Sequence, residues 1–207
     1  MTVLAAHGVD ETPQPGETPE ALVRRLGRAK ALAVVREVHD LPAVVAADTV
    51  VAFEGEILGK PYSLAEADAV LHRLRGSVHQ VYTGVTAIEL GGRSLITDAC
   101  VTDVPMRAYG DEEIDAYLAT GDPLDKAGSY AIQHAGFHPV GELTGCYANV
   151  MGLPLCHLTR MLRRLGVAPR TNVPDVCRKS TGYVCPIADQ ILFADAPIPE
   201  AYDPDTK

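Results

Sequence analysis

Apolar residues recur along this chain with two periods, and each change of period marks a boundary. From Pro19 onward Leu22, Val23, Leu26, Ala29, Ala33 and Val34 follow three- and four-residue steps, the spacing of one buried helix face. Thr18 offers an N-cap hydroxyl, Pro19 suits the first helical position, and Glu20 favours the positive end of the helix dipole. A helix is therefore predicted over 19–38. Pro42 ends that region. Ala43 to Phe53 is rich in alanine and valine, too short and β-branched for a comfortable helix, and reads as a buried strand interrupted by Asp48-Thr49. Ser63 caps a second helix that runs to about Arg73 and stops at Gly76. Two long strands, 78–90 and 94–106, meet at the hairpin signal Gly91-Gly92. Asp111 opens a helix to about Ala119, closed by Gly121-Asp122-Pro123. Short strands are predicted at 130–133 and 140–143, and a last helix from Pro154 to about Leu165.

This order of elements implies an α/β fold, a mixed twisted sheet flanked by helices, over residues 1–166. After Gly166 the pattern is lost. Pro169, Pro174, Pro186, Pro197, Pro199 and Pro204 crowd the remainder, so 167–207 reads as a Pro-rich extension that packs on the domain only in part.

Composition narrows the classes of function. The chain has 207 residues and a formal net charge of −9. An acidic surface repels a phosphate backbone, so extended nucleic-acid binding is disfavoured. A small phosphorylated ligand remains compatible, because one pocket can be basic on an acidic protein. No apolar stretch approaches the roughly 20 residues that span a bilayer. The first residues lack the charged flank and apolar run of a signal peptide, so a cytoplasmic protein with no membrane partner is expected. Five cysteines, an odd number, fit reduced thiols better than a disulfide framework. The histidines show no HExxH pattern or zinc spacing, and neither a GxxxxGK[ST] loop nor a GxGxxG fingerprint occurs.

Chemistry concentrates in a few short segments. Asp48 places a charge inside an apolar strand, where a carboxylate costs several kcal/mol unless it is paired, hydrogen-bonded or metal-bound. It reads equally as a structural carboxylate or a catalytic one. In Leu58-Gly59-Lys60-Pro61, Gly59 permits close backbone approach and Lys60 can hold a phosphate as a point charge, although an ordinary surface turn has the same composition. Lys60 lies one hairpin beyond Asp48. In Asp125-Lys126-Ala127-Gly128-Ser129-Tyr130-Ala131-Ile132-Gln133, a tight turn leads to Gln133, whose amide can read a base edge or a phosphate oxygen. Lys126 can face phosphates or pair with Asp122 or Asp125. On their own, Glu11 reads as part of an exposed acidic loop and Lys30 as a solvated helix lysine.

Taken together, these segments resemble the Maf nucleotide pyrophosphatases, once described as septum-formation inhibitors. The resemblance runs from about Val9 to Leu165. It rests on Val9-Asp10-Glu11-Thr12, Arg28-Ala29-Lys30-Ala31, Ala46-Ala47-Asp48-Thr49-Val50-Val51 and Leu58-Gly59-Lys60-Pro61. It continues in His79-Gln80-Val81-Tyr82-Thr83-Gly84-Val85, the 125–133 segment, Gly145-Cys146-Tyr147 and Val150-Met151-Gly152-Leu153-Pro154-Leu155. The resemblance implies a fold shared with inosine triphosphatases. It also implies metal-dependent hydrolysis of a nucleoside triphosphate to the monophosphate and pyrophosphate, in the branch acting on dTTP and UTP.

By the same resemblance Asp48 would be the general base or a metal-linked carboxylate, and Glu11 would help it hold Mg2+ or Mn2+. Lys30 and Lys60 would bind the triphosphate, with Thr49, Lys126 and Gln133 completing the substrate set. The partner would be a small nucleotide, with a homodimer expected. The alternative is a catalytically weak nucleotide-binding regulator, connected with septum or cell division, that has lost its phosphate clamp. The chain departs from the family pattern in two places. No Ser-x-Ser-x-Arg-Arg phosphate loop precedes Val9, which reads as an N-terminal truncation, and His134 follows Ile132-Gln133 where the family has glycine.

Overall fold

The computed structural model describes residues 2–38, 41–91 and 93–202; Gly92 of the expected hairpin turn and Pro204 of the extension lie outside them. Helix α1 spans Pro19–Val34, with the Thr18 hydroxyl accepting from the Ala21 amide, and the chain continues as a tighter 3-10 turn over Val35–Glu37. Strand β1, Ala43–Phe53, turns back into β2, Glu56–Leu58. Helix α2, Leu64–Leu74, is capped by Ser63. The long strands β3, Val78–Glu89, and β4, Ser94–Pro105, precede helix α3, Asp111–Leu118. A single turn α4, Tyr147–Val150, and helix α5, Leu155–Arg164, follow. The last stretch forms α6, Val173–Thr181, α7, Ala188–Phe193, and the short β5, Glu200–Ala201.

The fold is α/β, and its sheet has the order β2-β1-β3-β4-β5. The sequence reading expected a mixed sheet, but every described strand pair is antiparallel. The alternation of side chains divides the core between two faces. On one face Val44, Ile88 and Leu95 pack against Ala31, Val34 and Val35 at the end of α1. On the other, Val51, Val81 and Val104 meet Leu71 and Leu74 of α2 and Ile114 and Tyr117 of α3, while Val85, Ala87 and Ile96 meet Met161 of α5. The sheet is thus the middle of three layers.

Two expected strands are absent. Residues 130–133 follow short 3-10 turns at Asp122–Asp125 and Ala127–Ser129 and themselves enter a turn. Their backbone groups are already spent. The Ala131 amide donates to the Tyr117 hydroxyl at 3.1 Å, and the His134 amide donates to the Ala131 carbonyl at 3.1 Å. Val140 makes only an isolated bridge to Met106. Nor is the extension irregular throughout. Pro174 falls in the first turn of α6, where its missing N–H has no helical partner to lose, and Asn172 caps that helix. Beyond α7 the chain returns to the sheet edge, pairing Ala201 with Ser94 and Glu200 with Leu95.

Helix α1 crosses β3 at unusually short range. A Cβ on Gly84 would stand 2.0 Å from the Val23 carbonyl oxygen, and one on Gly27 would stand 3.1 Å from the Gly84 carbonyl oxygen. Gly84→Ala must therefore push the helix off the sheet. The expected loss is roughly 1–3 kcal/mol or more, the range for overpacking a close-packed core, read as a lower urea midpoint. Gly59→Ala, where nothing lies within 4 Å, should change stability by less than about 0.5 kcal/mol. Equal midpoints for the two variants would contradict the close contact.

A second expectation concerns His79. It is fully buried on β3, its Nε2 is 2.8 Å from the Tyr130 hydroxyl, and burial lowers its pKa from 6.5 to about 4. The imidazole is neutral in the fold and takes up its proton more readily once unfolded. Its contribution is therefore complete above about pH 6.5 and is lost as pH falls through about 4. The loss should reach on the order of 3 kcal/mol. Urea midpoints from pH 7 to pH 4 should fall more steeply for the wild type than for His79→Gln; parallel curves would refute the assignment.

Candidate active site

The close crossing of α1 over Gly84 determines what its next turn can reach. Gly84 is the register partner of Asp48 on β1, and Lys30 lies three residues beyond Gly27 on α1. The Lys30 ammonium sits 2.5 Å from Asp48 Oδ1 and 2.7 Å from Glu11 Oε1. The Asp48 side chain is 9% exposed, whereas that of Glu11 is 60% exposed. Burial raises the pKa of Asp48, and the Lys30 hydrogen bond and charge counter that only in part. Burial also opposes the Lys30 charge, but its bonds to Asp48 and Glu11 outweigh that cost and raise its pKa. Three residues called from separate segments thus form one ionic group.

Glu11 belongs to a loop with no helix or strand of its own, and Arg25 of α1 holds that loop in place. Its guanidinium donates to Glu17 at 2.7 and 2.8 Å, to the Thr12 carbonyl at 3.0 Å and to the Asp10 carbonyl at 3.3 Å. The Arg25 hydrogen bonds to Glu17 first, then one from the Gln14 amide, lower the Glu17 pKa to about 2. The apolar stripe that marks α1 in the sequence gives no sign of Arg25. Its partners are backbone carbonyls and a loop glutamate, which no periodicity reveals.

Thr49 faces the opposite side of the sheet from Asp48. Its hydroxyl is 2.9 Å from that of Thr83, which donates to the Asn149 carbonyl at 3.2 Å. The Asn149 amide donates to the Val81 carbonyl at 2.9 Å and to the Thr102 hydroxyl at 3.0 Å. This buried network ties β1, β3, β4 and α4 together. Thr83 stands in one of the motifs without a role and Asn149 lies between two of them; here they position the strand that carries Asp48 and Thr49.

Lys60, Lys126 and Gln133 form a second neighbourhood. The turn at 127–129 lies against the β1–β2 hairpin. The Gly128 amide donates to the Gly59 carbonyl at 3.2 Å, and Gly128, at φ +70°, lies against the Val51 side chain. Lys126 is 2.5 Å from Asp125 Oδ1 and 3.3 Å from Asp122 Oδ1, so it takes the surface pairing that the sequence left open. Lys60 is exposed, and its charge acts on Asp125. The β1–β2 register pairs Val51 with Leu58; carried two residues further it aligns Lys60 with Thr49. Gln133 is exposed in the turn after Ile132. Among the described residues no hydrogen bond or ion pair joins this neighbourhood to Glu11, Lys30 and Asp48. His134 does not project freely. Its ring packs edge-on to Tyr117 at 4.7 Å, and its Nδ1 accepts from the Phe137 amide at 3.0 Å.

No helix among the described residues is long and apolar enough to cross a membrane. The comparisons agree with one another. The family model described as Maf-like protein matches residues 1–165. A protein of Geotalea uraniireducens named dTTP/UTP pyrophosphatase is 47% identical over 163 residues, covering 79% of this chain and 84% of the relative. One of the same name from Dechloromonas aromatica is 44% identical, covering 77% of this chain and 81% of the relative. Another of that name, from Thermomicrobium roseum, is 43% identical over 192 residues, covering 90% of this chain and 84% of the relative.

Proposed function

The chain belongs to the Maf-like protein family, and we propose on that footing that it hydrolyses a pyrimidine nucleoside triphosphate, dTTP or UTP, to the monophosphate and pyrophosphate. The observation that carries this reading is the ionic group of Asp48, Lys30 and Glu11. A carboxylate buried in a strand has its pKa raised, which is the tuning a general base needs to accept a proton. Asp48 takes the proton of a water whose oxygen bonds to phosphorus as the anhydride bond between the α and β phosphates breaks. Lys30 uses two of its three N–H donors on carboxylates, which leaves one for a phosphate oxygen. Lys60 and Lys126 approach the phosphate chain from the second neighbourhood, Thr49 lies beside them on β1, and Gln133 meets the nucleoside. Arg25 holds the Glu11 loop. The relatives named as pyrophosphatases weigh against the alternative of a weak regulator.

A divalent cation, Mg2+ or Mn2+, fits this arrangement. Among the described residues no three His, Cys, Asp or Glu side chains form a ready metal cage. Mg2+ does not require one, because it retains waters and binds through one or two carboxylates together with substrate phosphates. Asp48 and Glu11 supply two such carboxylates around a single ammonium. When bound, the metal would neutralise phosphoryl charge. The proposal includes a cytoplasmic setting, which suits five free thiols, and a homodimer.

Asp48→Asn should preserve the fold and lower turnover of dTTP and UTP by roughly 10²–10⁴, the range for a positioned base. Pyrophosphate release within a few-fold of wild type would remove Asp48 from the mechanism. Lys60→Met should weaken binding of the triphosphate by about 1.5–3 kcal/mol, the scale of a charge-assisted hydrogen bond, and weaken the monophosphate less. Calorimetric titration with both ligands decides this; equal losses would show that Lys60 does not read the phosphate chain.

A further inference from the structure

In the proposed reaction Lys30, Lys60 and Lys126 meet the phosphates, whereas Gln133 alone meets the nucleoside. One sugar ring joins the base to the α phosphate. Whatever holds the face of the base therefore stands about one sugar ring from Asp48 and Thr49. Among the described residues β2 pairs β1 only over Val51–Phe53, so at Asp48 and Thr49 that edge of β1 carries no strand. A phosphate at this edge can reach both faces of the sheet.

Two glycine turns stand side by side on the Thr49 face of β1. Gly128, at φ +70°, lies against Val51. Gly152, at φ +102°, lies against Thr49, where an added Cβ would stand 3.4 Å from the hydroxyl oxygen. Val51 and Thr49 are two residues apart on one strand face, a step of about 7 Å. The first turn follows Lys126, and the second carries Met151 and Leu153, one on each side of its glycine. That second turn is firmly held. The Gly152 amide donates to the Asn149 carbonyl and the Leu153 amide to the Ala148 carbonyl, both at 2.9 Å, and the buried Asn149 amide is anchored to β3 and β4. Yet Met151 is 51% exposed and Leu153 37% exposed. One exposed apolar side chain is ordinary on any protein surface. Here two of them flank the glycine that touches Thr49, one strand step from the turn that follows Lys126.

We propose that Met151 and Leu153 form an apolar shelf that receives the face of the nucleotide base beside Thr49, a role that rests on the pyrophosphatase reading of this site. The base is the flat, uncharged part of the substrate, and its face gains by leaving water against apolar atoms. A thioether adds a favourable contact with an aromatic ring. The competing place is an open cavity of about 400 Å³ lined by Ile132, Tyr147 and Tyr183. It includes Gly141, whose amide donates to the Pro105 carbonyl, so it lies at the outer edge of β4. β4 is two strands from β1, about 10 Å, which is farther than a sugar ring spans. A base tied to a phosphate at Asp48 therefore stays on the β1 side, where the shelf is. A shelf grips the ring face that dTTP and UTP share, so it serves both bases alike.

The test compares the full wild-type chain with Met151→Ser, Leu153→Ser and the conservative Met151→Leu. Phe193→Ser, at an exposed residue of α7, is the control. Pyrophosphate release from dTTP and from UTP is followed against substrate concentration, together with inhibition by dTMP and by inorganic pyrophosphate. Each serine variant should raise KM for both substrates by about 4- to 15-fold, the scale of one or two buried methylene groups, and leave kcat little changed. Inhibition by dTMP should weaken in step, whereas inhibition by inorganic pyrophosphate, which has no base, should not change. Met151→Leu should recover most of the loss, and Phe193→Ser should match the wild type. Melting curves separate lost binding from lost folding, and the half-exposed Met151 decides the matter if Leu153→Ser does not fold. A wild-type chain that releases no pyrophosphate overturns the proposed function and the shelf with it. An active wild type whose folded serine variants keep its KM and its dTMP inhibition overturns the shelf alone. So does a loss of pyrophosphate inhibition equal to that of dTMP, which would place the effect at the phosphates.

Discussion

The site depends on one contact in which two backbones touch because neither carries a side chain. Gly84 on β3 admits the Val23 carbonyl, and Gly27 on α1 lies against the Gly84 carbonyl. With the helix this close, the lysine one turn further on reaches the carboxylate paired with Gly84 in register. A helix held further from the sheet would carry the Lys30 ammonium away from Asp48. The same contact lets Ala31, Val34 and Val35 bury against Val44, Ile88 and Leu95, so the packing that stabilises this layer and the geometry that makes it reactive have one origin.

Burying Asp48 is unfavourable by itself, and the rise in its pKa records that cost. Lys30 offsets it, but only by leaving water as well, and it gains enough from two carboxylates to stay charged. The third member, Glu11, is mostly exposed and comes from a loop. Such a loop contributes reliably only if something orders it. Arg25 does so with four hydrogen bonds to Glu17, Thr12 and Asp10. The ionic group therefore has a rigid half, set by helix and strand, and an adjustable half, set by a surface arginine.

The sequence disclosed the elements whose signals are local. Thr18-Pro19 began α1, Ser63 began α2, and Ala43 to Phe53 formed the strand that its β-branched run suggested. It misjudged 130–133 because the residues are strand-like, whereas the Ala131 amide is taken by the Tyr117 hydroxyl, a contact across 14 residues that no local pattern encodes. In the Pro-rich extension the crowding of prolines gave no sign of α6, in which Pro174 stands in the first turn. At the site, Asp48 was legible because a charge in an apolar strand is anomalous. Its partners were not: Lys30 and Glu11 look like ordinary surface residues until the Gly27–Gly84 contact brings them together, and only the family resemblance singled them out.

A chain of net charge −9 that handles a polyanion faces a conflict, and the pairings at the site show how it can be resolved. Lys30 is engaged by Asp48 and Glu11, and Lys126 by Asp125 and Asp122. A triphosphate approaching this resting state meets cations already neutralised and carboxylates that repel it. In the proposed reaction each lysine would turn more fully to phosphate as its carboxylates find another cation. Carboxylate to divalent metal and ammonium to phosphate would then be two halves of one exchange that leaves local charge nearly balanced. Neither half is favourable alone, since metal without phosphate leaves Lys30 unpaired in a partly buried place, and phosphate without metal leaves Asp48 uncompensated. Arrival of metal and nucleotide together would satisfy the charges of Asp48 and Lys30 at once, which would tie assembly of the proposed reactive site to the presence of its substrate.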